Sequence, residues 1–123
     1  AASEQVLDSM PACMEAAALA KMAERGQIKG CIADGPLALD VAIDKESVEI
    51  KKLTSPVAGD ADCLVFPNIE SANVFWKTNS KLAPGVRQAG MLVGTTAPCI
   101  LASRADSVDT KLNSIAEAVM SVK

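Results

Sequence analysis

The chain has 123 residues, 12 Lys and Arg against 15 Asp and Glu, no histidine, and a formal charge of −3. Half of it is hydrophobic, yet only Phe66, Phe75 and Trp76 are aromatic, so one domain's core must be built from Ala, Val, Leu, Ile and Met. There is no Lys/Arg run interleaved with aromatics and no apolar stretch near the ~18 residues of a membrane span, so neither nucleic acid nor membrane is an expected partner.

The first predicted element is a helix from about Ala12 to Arg25, alanine-rich, with Pro11 suited to its first turn and Gly26 as its stop. Its small side chains allow close packing against a sheet. Gly30 to Asp34 reads as a short buried strand ending in Asp34-Gly35-Pro36. Leu37 to about Asp44 is a helical turn or two, with Leu39 facing inward, and Lys45 to Lys52 stays unassigned. Thr54-Ser55-Pro56 is a break, because proline disfavours helix in the residue before it.

Asp62 to Phe66 is the clearest buried strand, an apolar run bounded by Asp62 and Pro67. A helix from Ile69 to about Ala83 follows, with Ile69, Ala72, Phe75 or Trp76, and Leu82 on its apolar side, closed by Pro84-Gly85. Ala89 to Val93 and Pro98 to Ala102 are two further strands. The last helix spans about Ser107 to Val122. Val108, Leu112, Ile115, Val119 and Val122 recur along one face of it, and Asp106 is the expected N-cap, with Asp109 completing a capping box.

Helices alternating with short, non-alternating apolar strands imply an α/β fold. The expected form is three layers, a largely parallel sheet with helices on both faces, in a single unit over residues 1–123. Cys13, Cys31, Cys63 and Cys99 are widely spaced, three of them in apolar segments, which favours buried thiols of a reduced, cytoplasmic protein over disulfides. The opening residues lack the basic and apolar regions of a secretory signal. With no histidine and no C-x-x-C pair, no metal site is expected.

In open α/β sheets ligands collect beyond the carboxyl ends of strands. Three such ends are polar here: Asp34-Gly35-Pro36, Pro67-Asn68 and Ser103-Arg104. Ser103-Arg104 precedes a helix N-terminus, where free N–H groups favour an anion and arginine can grip phosphate through two parallel hydrogen bonds. The alternative is structural, with Ser103 in a capping turn and Arg104 paired with Asp106. Asn68 and Asn73 divide the same way between ligand contact and helix capping, with capping first for Asn68. The segment Gly35–Asp40 carries one glycine and lacks the fingerprint of a P-loop or dinucleotide site.

Three stretches, "DGPLALDVAI" (34–43), "SPVAGDADCLVFPNIESANVFWK" (55–77) and "VGTTAPCILASRADSVDTKLNSI" (93–115), together resemble the phosphate acetyltransferase/phosphate butyryltransferase family. The last stretch is more similar to the butyryltransferase branch. The resemblance implies a C-terminal portion of a two-domain acyltransferase with its active site in the cleft between domains. It also implies that the second domain has the isocitrate/isopropylmalate dehydrogenase-like fold, with residues 98–123 returning to the first domain. The implied reaction is exchange of acyl-CoA (butyryl or acetyl) and phosphate with acyl phosphate and free coenzyme A. Coenzyme A is then a substrate, and no bound cofactor is implied.

On that resemblance Ser103 and Arg104 are catalytic, with Arg104 neutralising phosphate and Ser103 donating a hydrogen bond to a reacting oxygen or sulfur. Asp106 is a candidate base whose capping role ranks first. Arg104, Asn68 and Asn73 form the substrate-binding set. Acetyltransferases of the family place an acidic residue seven positions after the motif serine, where this chain has Thr110. A non-catalytic coenzyme A or phosphate-binding module and a self-associating scaffold are the competing readings, and a homo-oligomer is expected in either the enzyme or the scaffold case.

Overall fold

The computed structural model describes residues 1–122. Five helices occur among them: α1 (Pro11–Glu24), α2 (Leu39–Ile43), α3 (Lys45–Lys51), α4 (Ile69–Leu82) and α5 (Val108–Met120). The chain divides into two compact units, Ala1–Ala72 and the residues from Asn73 on.

In the first unit, α1 starts and stops where its sequence says it should. Pro11 occupies the first turn, where a missing N–H costs nothing. At the other end Gly26 takes φ +74°, its N–H donates to the Ala23 carbonyl at 2.9 Å, and Gln27 N–H donates to the Met22 carbonyl at 2.9 Å. That pair of bonds is a Schellman closure, which satisfies carbonyls left over at the helix end. Ala17, Ala20 and Ala23 line one side of a shallow groove whose other wall includes Ile32, Gly35 and Pro56. The small side chains let backbone come close: a Cβ on Gly35 would stand 3.0 Å from the Ala16 Cβ.

The helix α2 is too short to satisfy its own carbonyls. Its Val41 and Ala42 oxygens accept instead from Gly59 N–H at 2.8 Å and Ala61 N–H at 3.1 Å, which pins the loop after α3 onto it. Val41 is fully buried there, as is Cys13 of α1, whereas Leu39 is exposed rather than inward. The stretch left unassigned from sequence is α3, and Asp44 caps it. Its carboxylate accepts from Ser47 N–H at 2.8 Å and Ser47 Oγ at 2.6 Å, contacts that hold Asp44 below the usual carboxylate range.

Lys51 on α3 joins this unit electrostatically, its Nζ lying 3.1 Å from Glu4 Oε1 and 2.9 Å from Asp40 Oδ2. Hydrogen bonds from Lys51 lower both carboxylates, and their acceptors raise Lys51 in turn. A depressed carboxylate adds stability that is complete above its unfolded pKa of about 4 and is lost as pH falls through the folded value. A raised lysine adds stability below about 10.4 that is lost as pH rises through its folded value. Lys51→Met is therefore expected to melt below the parent at about pH 7, with the gap closing by about pH 3. Thermal unfolding at the two pH values checks this, and a gap independent of pH would sink it. The gap should also shrink in high salt, since all three groups are partly exposed.

Helices alternate with extended segments in the order expected of an α/β chain, but the sheet is not formed among the described residues. Residues 30–34 and 62–66 form no β-bridge, and Ile32 and Val65 are 72% and 81% exposed. The segments 89–93 and 98–102 meet at one bridge, Leu92 with Cys99, and it is antiparallel rather than parallel. An apolar run gives a strand its composition, whereas pairing needs a neighbouring strand in reach. The buried-thiol expectation holds for Cys13 alone; Cys31, Cys63 and Cys99 are free and exposed, because the segments that carry them are uncovered.

In the second unit, α4 and α5 grip the segment between them through polar atoms. Gln88 Nε2 donates to the Trp76 carbonyl at 3.1 Å, and Asn113 Nδ2 donates to the Gln88 carbonyl at 3.3 Å. Ser114, 3% exposed, accepts from Gly90 N–H at 3.0 Å while its Oγ donates to the Thr110 carbonyl at 2.8 Å. So α5 buries Ser114 and Ala118, a face turned by roughly 100° from the expected stripe. Val108, Leu112, Ile115, Val119 and Val122 are all exposed. The helix packs against backbone that demands a hydrogen-bond acceptor, and the stripe offers none. On α4, likewise, Ile69 and Leu82 are exposed, while Ala72, Phe75 and Trp76 are half-buried. Ser114→Ala leaves Gly90 N–H without its acceptor and is expected to cost about 1–2 kcal/mol in urea unfolding. A loss indistinguishable from zero would mean that water replaces the serine there.

Candidate phosphate-binding turn

Residues 103–106 form a closed turn. Asp106 N–H donates to the Ser103 carbonyl at 3.1 Å, and the Asp106 carboxylate accepts from Ser103 N–H at 2.8 Å through Oδ2. Ser103 Oγ lies 3.4 Å from Ala105 N–H, at the outer limit of a hydrogen bond. These contacts fix both ends of the turn and leave Arg104 at its tip, exposed. Among the described residues its guanidinium makes no hydrogen bond or ion pair.

Asp106 does not cap α5. Ser107 does, with extended backbone at φ −63° and ψ 161° and its oxygen accepting from Thr110 N–H at 3.1 Å. The cap slips by one residue because the Asp106 carboxylate is turned back onto Ser103 N–H and held by Lys77, whose Nζ is 3.5 Å from Oδ1. Nor does Arg104 pair with Asp106, as the structural alternative required; Lys77 is that carboxylate's partner. The Asp106 side chain is only 8% exposed. A second lysine of α4, Lys81, donates to the Ala105 carbonyl at 3.4 Å.

The structure thus brings Ser103, Arg104 and Asp106 together with two residues that sequence reasoning passed over, Lys77 and Lys81. The signal was available: Asn73, Lys77 and Lys81 follow one another at i, i+4 and i+8, which puts them on one face of α4. Asn73 belongs to that face and is exposed. Asn68 is an N-cap of α4, its Oδ1 accepting from Ser71 N–H at 2.9 Å, as expected for it, and it falls in the other unit. Among the described residues no group of three or more His, Cys, Asp or Glu stands where it could hold a metal ion, and no helix is long and apolar enough to cross a membrane.

Chemically the turn offers one unpaired guanidinium, a hydroxyl beside it and two ammonium groups behind it. That set suits a phosphate oxyanion far better than a neutral ligand.

Comparison with known proteins gives the chain its family. A family model described as phosphate acetyl/butaryl transferase matches residues 1–119. The chain is 56% identical over 117 residues to a phosphate butyryltransferase of Clostridium beijerinckii, covering 95% of this chain and 38% of that protein. It is 50% identical over 115 residues to a phosphate acetyltransferase of Thermotoga maritima, covering 94% of this chain and 39% of that protein. Among solved structures, the crystal structure of a branched-chain phosphotransacylase from Enterococcus faecalis matches with a TM-score of 0.82 at 33% identity, over 97% of this chain and 42% of that one. The chain therefore spans well under half the length of the relatives it matches. Across nearly all of its own length it belongs to the phosphate acetyl/butaryl transferase family.

Proposed function

We propose that the chain is the C-terminal portion of a two-domain phosphate acyltransferase, of the butyryl type, that interconverts acyl-CoA plus phosphate with acyl phosphate plus coenzyme A. The observation that carries this reading is the closed turn with Arg104 unpaired at its tip, in a chain of this family. Arg104 binds phosphate and aims one of its oxygens at the thioester carbonyl carbon. A new C–O bond forms, the carbonyl becomes an oxyanion, and collapse breaks the C–S bond. The departing thiolate takes up the proton that the attacking hydrogen phosphate loses, giving free coenzyme A. Ser103 donates a hydrogen bond to the oxyanion or the sulfur.

Asp106 is assigned here to holding the turn rather than to serving as base, because both its carboxylate oxygens are engaged. Asn73 and Asn68 remain in the substrate-binding set, Asn68 through its amide NH2, since its oxygen already caps α4. The first domain supplies the opposite wall of the cleft and the strands that pair with the uncovered segments, completing the largely parallel three-layer sheet of the isocitrate/isopropylmalate dehydrogenase-like fold. Residues 98–123 return to that domain, and the exposed stripe of α5 supports this. The same stripe favours a homo-oligomer, and the substrates place the protein in the cytoplasm.

The test is a chimera in which this chain replaces the matching portion of the Clostridium beijerinckii relative. Phosphate-dependent release of free thiol from butyryl-CoA is expected. A folded chimera that releases none would overturn the assignment. Light scattering on the chain itself tests self-association, against which a strictly monomeric profile at high concentration would count.

A further inference from the structure

Lys77 closes one of the family-like stretches without having been given a role there, yet its geometry gives it a defined task. Its ammonium reaches Asp106 Oδ1 at 3.5 Å, while the other oxygen of the same carboxylate holds Ser103 N–H at 2.8 Å. Without Lys77, a nearly buried carboxylate would sit two residues from Arg104 without its ion-pair partner. Two consequences follow from charge alone. Arg104 has no partner to give up among the described residues, whereas Lys81 is engaged with the Ala105 carbonyl, so Arg104 is drawn onto Asp106 and away from any external anion. The net charge at the turn, counting Lys77, Lys81, Arg104 and Asp106, also falls from +2 to +1. A phosphate approaching the tip then meets a neutral ion pair.

We propose that Lys77 is a positioning residue that engages Asp106 and thereby keeps Arg104 free for phosphate. This rests on the reading of the turn as the phosphate site. Lys77 acts through Asp106 and need not touch substrate. It is carried on a fourteen-residue helix whose register also aims Lys81 at the Ala105 carbonyl, so α4 fixes the turn at two successive residues, Ala105 and Asp106.

Hydrogen exchange on the full chain tests the positioning directly. In Lys77→Met the Ser103 amide is expected to exchange about tenfold faster, while the amides of α5 keep their rates and report that the unit is still folded. Lys77→Arg, which retains the charge, is expected to restore protection. Ser103 exchange unchanged in Lys77→Met would overturn the proposal.

Kinetics in the chimera test its consequence. Lys77→Met is expected to raise the phosphate KM about tenfold with the acyl-CoA KM unchanged, and Lys77→Arg to recover most of it. A phosphate KM unmoved by Lys77→Met but raised by Arg104→Met would also overturn the proposal. If Arg104→Met itself leaves the phosphate KM unmoved, the phosphate reading of the turn fails instead, and the exchange result alone decides what Lys77 does.

Discussion

Arg104→Met in the chimera is expected to lower phosphate-dependent acyl transfer by about 100-fold, the usual consequence of deleting one preorganised charge at a reacting oxyanion. Most of the loss should fall on the phosphate KM, because the guanidinium meets phosphate before the thioester does. Arg104→Lys should recover only part of it, since an ammonium offers a point charge without the planar pair of donors. The fold itself should be indifferent to either change. Arg104 is exposed and makes no hydrogen bond or ion pair among the described residues, so the melting temperature should stay within error of the parent. Near-normal turnover in a folded Arg104→Met chimera would remove this residue from the mechanism. A large drop in melting temperature would show instead that the tip of the turn is bound up in packing.

Gly59→Ala is expected to produce the largest stability loss of any single methyl addition to the first unit, and Gly26→Ala is its control. The two glycines share nearly the same backbone, φ +75° and +74°, so an alanine pays the same dihedral penalty at each. Their surroundings differ. A Cβ on Gly26 meets nothing within 4 Å, whereas one on Gly59 lands 2.9 Å from Lys45 Cγ and 3.1 Å from Lys45 Cα. The lysine side chain can swing away, but its Cα is backbone at the start of α3 and cannot. Gly59 also donates to the Val41 carbonyl, so moving it off disturbs a fully buried valine. About 1 kcal/mol is expected for Gly26→Ala and about 3 kcal/mol for Gly59→Ala. Denaturant unfolding of the two variants side by side measures the difference. Equal losses would mean that α3 yields freely to the added methyl group.

Local signals proved readable wherever the answer lay in a few consecutive residues. Pro11 and Gly26 bound α1, Pro67 and Pro84 bracket α4, and Asn68 caps as its type suggests. Even α3 was announced, since Asp44 stands three residues before Ser47, although the charges between them hid it. Readings failed where the answer depended on a partner elsewhere. The runs at 30–34 and 62–66 have strand composition, but neither forms a β-bridge among the described residues. The stripe on α5 has helical periodicity, but the surface α5 meets is the polar backbone around Gly90, and that selects Ser114. At the turn, Asp106 and Ser107 are equally good caps by type. Lys77, a full helix away in sequence, decides between them, and no local rule sees it.

The uneven exposure of the four thiols turns the chain into its own gauge of folding. Cys31, Cys63 and Cys99 stand in the open, and an alkylating reagent reaches them without the fold having to open. Cys13 is sealed on the buried face of α1, its sulfur 3.9 Å from that of Met10, and stays unmodified until that helix lifts. The slow fourth equivalent of label therefore clocks the opening of the first unit without any probe being added. A mixture of triply and quadruply labelled molecules, weighed over time, reads out how often it opens.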